Sequence, residues 1–148
     1  MKKCIITLLF IIFLTSFSAA YAQDGEIKVY TQINDINTRV YFDSKPKIIN
    51  GNTMIPVRNI ADALGISVDW NEEEQELTLV KGFSVILQIG KDSAKWSPYG
   101  SIHLGVAPFI ENNRTYVPLR FISETFNTNV VYDSDANSIY LSELIQDG

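Results

Sequence analysis

The chain is poor in the residues that cross-linking and metal chemistry need. It has one cysteine, Cys4, and one histidine, His103, in 148 residues. A single cysteine cannot close an intramolecular disulfide, so stability has to come from a packed core. A single histidine excludes a metal centre built from several imidazoles. Basic side chains are also scarce, 12 Lys and Arg against 17 Asp and Glu, for a net charge of −5. That balance argues against nucleic acid or anionic lipid as a partner, because both are held by basic patches. Long apolar runs are missing as well. The longest, Cys4 to Phe17, is 14 residues, short of the roughly 20 that a membrane-spanning helix requires.

That run is nevertheless informative. Met1-Lys2-Lys3 precedes it as a short positive segment, and Ser18-Ala19-Ala20-Tyr21-Ala22 ends it. Positive start, apolar middle and small residues at Ala20 and Ala22 form the pattern of a secretory signal, with cleavage expected between Ala22 and Gln23. A lipoprotein signal carries its cysteine beside the cleavage site, and Cys4 lies at the other end. Removing 22 of 148 residues leaves 126, with 10 basic residues against the same 17 acidic ones, a net charge near −7. The expected product is secreted, free of cysteine and without a lasting membrane anchor. It is long enough for one ordinary domain or two very small ones.

Residues 23–148 contain an internal repeat. Val40 to Leu79 aligns without gaps on Ile102 to Leu141, an offset of 62 residues with 9 identities in 40 positions. Pro46, Ile48, Asn50, Thr53, Pro56, Arg58, Ile60, Val68 and Leu79 each recur 62 positions on. Such a match implies two copies of one supersecondary unit, at about 27–81 and 83–142, packed together because neither has much core alone. Asn50-Gly51, and Asn112-Asn113 in the second copy, read as tight hairpin turns. Val57, Ile60, Ala61 and Leu64 fall on one helical face, with Gly65 as the terminator; Leu119, Ile122, Ser123 and Phe126 repeat the stripe before Asn127. Two further alternating segments, around Asn71–Gln75 and Asp133–Asn137, read as hairpins with polar tips. Ile27–Tyr30 and Phe83–Ile89 read as the leading strands. The fold class is therefore α+β, mostly antiparallel sheet with two short helices, built from a duplicated strand–hairpin–helix–hairpin unit.

The block Asn112-Asn113-Arg114-Thr115-Tyr116-Val117-Pro118-Leu119-Arg120-Phe121-Ile122-Ser123-Glu124, with its weaker twin from Asn50 to Gly65, resembles the copper amine oxidase N-terminal (stalk) domain family. The motif residues are Pro56 and Arg58 in the first copy, and Thr115, Val117, Pro118, Leu119, Arg120 and Glu124 in the second. Asn52 stands where the family prefers Arg, and Asn127 where it prefers Gly. The resemblance runs over roughly residues 27 to 142. It implies a noncatalytic extracellular module of the kind found in exported and cell-wall proteins of Gram-positive bacteria. No cofactor is implied, since the copper chemistry of the amine oxidases belongs to a separate domain. Cell-wall polymer or another envelope protein is the partner it suggests.

Several residues invite a chemical role. Arg58 and Arg120 sit near helix starts, where positive charge opposes the helix dipole. They either bind an acidic polymer or bond locally, Arg58 to Asp62 and Arg120 to Glu124 four residues on; the local bonds are the expectation. Trp96 and Tyr99, in the turn Trp96-Ser97-Pro98-Tyr99-Gly100, offer aromatics that could stack on sugar rings, or could simply pack beneath the loop. Trp70 and Tyr132 occupy equivalent strand positions and are expected in the core. Asp133-Ser134-Asp135-Ala136-Asn137 begins like a calcium loop but lacks the glycine and the terminal glutamate such loops use, so no metal is expected there. No nucleophile elbow, phosphate loop or metal spacing is present. The alternative to a binding module is a small secreted hydrolase of wall or extracellular glycan, using His103 or a carboxylate pair. Export itself yields a direct prediction: the protein recovered outside the cell begins at Gln23 by N-terminal sequencing, and Ala22→Arg leaves the full-length precursor unprocessed.

Overall fold

In the computed structural model, residues 25–33 and 35–143 are described; the export segment and its cleavage residues Ala20, Ala22 and Gln23 lie outside them. The first half contains β1 (Lys28–Ile33), β2 (Ile36–Val40), β3 (Lys47–Ile49), β4 (Asn52–Pro56), α1 (Val57–Leu64), β5 (Ser67–Asn71) and β6 (Glu76–Val80). The second contains β7 (Ser84–Gln88), β8 (Ser93–Ser97), β9 (Gly100–His103), β10 (Phe109–Glu111), β11 (Arg114–Pro118), α2 (Leu119–Thr125), β12 (Thr128–Asp133) and β13 (Ser138–Glu143). The expectation of mostly antiparallel sheet with two short helices holds.

The asparagine turns set the centre. Asn50, Gly51, Asn112 and Asn113 all have positive φ, between 49° and 75°, which is the type I′ geometry that matches strand twist. β3 therefore folds back on β4, and β10 on β11. β4 and β11 then pair antiparallel, with Met54 opposite Pro118, Ile55 opposite Val117 and Pro56 opposite Tyr116. Each residue meets the chain symmetrically about Ile55 and Val117, which are themselves 62 positions apart. The resulting sheet has the order β10-β11-β4-β3.

Two flanking sheets mix the halves. One runs β5-β6-β7-β8-β9 and the other β12-β13-β1-β2. The terminal hairpin of each half is thus extended by the leading strand of the other half. β7 joins β6 antiparallel, whereas β1 joins β13 parallel, Val29 opposite Ile139. Strands β2, β8 and β9 escaped the sequence reading: Asn37-Thr38-Arg39 breaks the apolar alternation of β2, β9 is very short, and β8 alternates but has only Ala94 and Trp96 as apolar residues.

α1 buries Val57, Ile60, Ala61 and Leu64, the stripe expected from the sequence. Gly65 ends it at φ 67°, and the N–H groups of Gly65 and Ile66 donate to the Asp62 and Ala61 carbonyls, which is how a left-handed cap satisfies the last turn. In α2 the stripe Leu119, Ile122 and Ser123 is buried as expected, and Phe126 is buried just past the helix end. Asn127 takes the left-handed position at φ 53°. Phe121 is buried too, at the position where the first half has Asn59. The core joins residues of both halves, including Ile55, Leu79, Val85, Val117, Ile122 and Leu141.

One core assignment fails. Trp70 is half-buried and packs on the core, but Tyr132 is 56% exposed, beside exposed Val130 and Val131. β12 is the outermost strand of its sheet, and the Tyr132 hydroxyl donates to Asn137 Oδ1 at 3.0 Å, so the ring stays at the water boundary.

A Cβ built on Gly65 would meet nothing within 4 Å, so only the backbone conformation opposes a larger residue there. Gly65→Ala should cost about 1–2 kcal/mol, read as a lower urea midpoint. Asn127→Gly, at the equivalent cap, should change stability by less than about 0.5 kcal/mol, because Asn already tolerates that conformation.

Candidate functional site

The expected aromatic pair is split by its packing. Trp96 lies on β8, half-buried against the core, with its ring 5.6 Å from Phe83, which stacks on Phe126 at 5.3 Å. Tyr99 is 71% exposed and tilts over Trp96 with 4.9 Å between centroids. The Trp96 Nε1 is buried with no hydrogen-bond partner among the described residues. Trp96 is thus a packing residue with Tyr99 above it, and the two do not present a pair of open faces.

The two arginines also differ. Arg120 Nε lies 3.3 Å from Glu124 Oε1, the i,i+4 pair expected, and at this exposure such a pair contributes little stability. Arg58 is exposed as well, yet no carboxylate among the described residues lies within ion-pair distance of it, Asp62 included. The expected bond therefore forms in the second half only. Of the remaining motif residues, Pro56, Val117, Pro118 and Leu119 are buried and Thr115 is half-buried.

Arg58 stands on the rim of a cleft of about 530 Å³. α1 supplies Arg58 and Asp62, the β5–β6 hairpin supplies Trp70, and the β10–β11 hairpin supplies Ile110 and Thr115. Two sheet faces meet there. Trp70 pairs across its hairpin with Leu77, and Ile110 across its own with Thr115, each pair sharing one face. The cleft is assembled from both halves, because the β4–β11 pairing carries the second half's hairpin over the first half's helix. Arg120, Trp96 and Tyr99 do not line it. Sequence reasoning missed the cleft because Trp70 reads as a core residue. Its only signal was Arg114, which replaces Asn52 of the first half and reaches across to Asp43.

The polar groups of the cleft are partly spoken for. Arg114 Nε donates to Asp43 Oδ2 at 2.6 Å. The Arg114 hydrogen bond holds the Asp43 carboxyl below the ordinary aspartate range, and Asp43 raises Arg114 in turn. The Trp70 Nε1 donates to Glu72 Oε2 at 2.6 Å. Arg58, Asp62, Asn113 and Thr115 show no side-chain hydrogen bond among the described residues and remain available.

The other sequence candidates lie elsewhere. His103 is exposed on β9, its Nδ1 3.7 Å from Asp92 Oδ2, and no hydroxyl hydrogen-bonds to it among the described residues. In the loop that begins like a calcium site, Asp133 Oδ1 accepts from the Asp135 and Ala136 N–H groups at 3.0 Å. Asn71 Oδ1 caps the equivalent tip through Glu73 and Glu74, so both loops are turns closed by their first side chain.

A family model described as the copper amine oxidase N-terminal domain matches residues 32–141. The chain belongs to that family. The copper of the family name finds no ligand set here: among the described residues no three His, Cys, Asp or Glu side chains are grouped as a metal ion requires. A relative from Brevibacillus choshinensis, named a protease inhibitor, is 28% identical over 116 residues, covering 77% of this chain. The chain spans about a third of that relative's length, 34%.

The Asp43–Arg114 pair has a testable pH signature. A depressed folded-state pKa stabilises the fold above the ordinary aspartate value of about 3.9, and that contribution is lost as pH falls through the lowered one. In a carbon-detected NMR titration the Asp43 carboxyl should titrate below its unfolded value. In Arg114→Gln it should return to the ordinary range, and the acid-side loss of stability should flatten.

Proposed function

We propose that this member of the copper amine oxidase N-terminal domain family is an exported, noncatalytic binding module of the cell envelope, which holds a wall polymer or another envelope protein. One observation carries the reading: the cleft beside Arg58 combines apolar walls with polar groups that no side chain among the described residues engages, the usual composition of a binding site. The signal-like start supports a place outside the cell. The relative named a protease inhibitor is consistent with binding rather than turnover.

A second reading, a small glycan hydrolase, draws on the three carboxylates that line the same cleft, Asp43, Asp62 and Glu72. Two of them are committed, Asp43 to Arg114 and Glu72 to the Trp70 indole. Asp62 and Glu72 are exposed, whereas the general acid of a glycosidase is a carboxyl kept out of water. His103 and Asp92 are absent from the cleft altogether.

The mature protein incubated with purified cell walls should be retained in the pellet at low salt and release no reducing ends or soluble fragments. Free protein in the supernatant would refute the wall-polymer form of the reading. Fragment release that Asp62→Asn or Glu72→Gln abolishes would establish the hydrolase instead.

A further inference from the structure

The geometry points to a saccharide as the ligand of the cleft: a short run of neutral sugar rings, bound between the β5–β6 and β10–β11 faces with Arg58 and Asp62 at the rim. The inference rests on the binding-module reading and narrows it to one ligand class and one place.

The walls come first. Trp70, Val68 and Leu77 on one side and Ile110 on the other are apolar, and Trp70 is held in place by the bond from its indole N–H to Glu72. A pyranose ring presents C–H groups on its faces and hydroxyls around its edge. It therefore suits a site with an aromatic and aliphatic wall and a polar margin, where tryptophan supplies large contact area at small entropic cost. The volume of about 530 Å³ lies within the range of roughly 300–1,000 Å³ typical of small-ligand sites.

The rim comes second. A sugar hydroxyl both donates and accepts, so it needs both kinds of partner. Arg58 offers only donors, Asp62 only acceptors, and Asn113 and Thr115 offer both. All four line the cleft without an internal side-chain partner among the described residues.

Charge then separates the alternatives. The cleft holds two guanidiniums, Arg58 and Arg114, against the carboxylates of Asp43, Asp62 and Glu72. With Arg114 tied to Asp43, the free rim has no positive excess to attract a phosphate-bearing polymer, and the net charge of −5 opposes one further. β5 and β10 are the outermost strands of their sheets, so a peptide added as a strand is the competing occupant, and the peptide arm of the test decides for or against it. The saccharide is favoured by the side chains the faces present: Trp70 and Leu77 paired across one hairpin, Ile110 and Thr115 across the other.

The test titrates the mature protein with chitotetraose and cellotetraose, following backbone amides by NMR and heat by calorimetry. Polyglycerol phosphate and a mixed-sequence peptide serve as the other arms. Saturable binding of one tetrasaccharide is expected, with shifts confined to Arg58, Asp62, Val68, Trp70 and Thr115 and an affinity insensitive to salt. Arg58→Ala and Asp62→Ala, both at exposed positions, should leave the thermal midpoint unchanged and weaken binding about fivefold or more, the loss of roughly one hydrogen bond. No shift at millimolar sugar, shifts centred on Tyr99 instead, or tighter and salt-sensitive binding of polyglycerol phosphate would each overturn the inference. So would a peptide that alone shifts the cleft. Wall retention by Arg58→Ala and Asp62→Ala as strong as that of the parent would remove the cleft from the account and leave the envelope reading standing. Sugar binding without wall retention would do the reverse.

Discussion

The antiparallel pairing of β4 with β11 is the constraint on which the other features of the fold depend. Ile55 and Val117 face each other there with no exposed surface, and burying two such side chains is worth about 1.5–3 kcal/mol each. The opposite face of the same pair is covered as well. Met54 and Tyr116 are fully buried on it, with Phe109 stacked on Tyr116 at 4.9 Å and the Tyr116 hydroxyl bonded to Ser44 Oγ and the Lys45 carbonyl. Each strand of the pair runs into a proline, Pro56 or Pro118, and each proline starts a helix with no side-chain cap. Strand register therefore sets where α1 and α2 begin. Arg58 and Arg120, second in their helices, take their positions from it.

The flanking sheets convert this central joint into an interlock. β7 of the second half extends the β5–β6 hairpin, and β1 of the first half extends the β12–β13 hairpin in parallel. Each half thus completes the other's sheet. The helices are eight and seven residues long, too short to persist alone, and they survive because the sheets bury their apolar stripes. This explains how a chain without a disulfide can hold many short elements together: nearly every element borrows burial from the other half.

The legible part of the fold was the part governed by local rules. Asn-Gly and Asn-Asn turns, the Val57–Leu64 stripe and the Gly65 cap are each decided within a few residues, and each formed where the sequence placed it. Polar strands β2, β8 and β9 were not legible, because each carries too few apolar residues to stand out, and it is the ladder each forms with the adjacent strand that makes it one. The site was less legible still. Trp70 and Tyr132 carry the same strand pattern, yet one lines a cleft and the other stands in water, since the difference lies in what crosses over them. Arg58 and Arg120 share a motif position, yet Arg120 pairs with Glu124 and Arg58 lines the cleft.

That divergence gives the positions 62 residues apart their meaning. Among the described residues Arg58 forms no ion pair, Asp62 included, whereas Arg120 pairs with Glu124. Asn59 donates to the Tyr41 carbonyl, where Phe121 fills the core. Arg114 replaces Asn52 and binds Asp43, and Trp70 replaces Tyr132. Arg58, Asn59 and Trp70 of the first half and Arg114 of the second all line the cleft, while the positions that make the central joint, Ile55 with Val117 and Pro56 with Pro118, stay alike. A fold whose stability depends on one shared strand pair constrains both strands of that pair alike. The surface beside each helix is under no such demand: beside α2 Phe121 packs into the core and Arg120 pairs with Glu124, whereas beside α1 residues of both halves line an open, polar-rimmed groove.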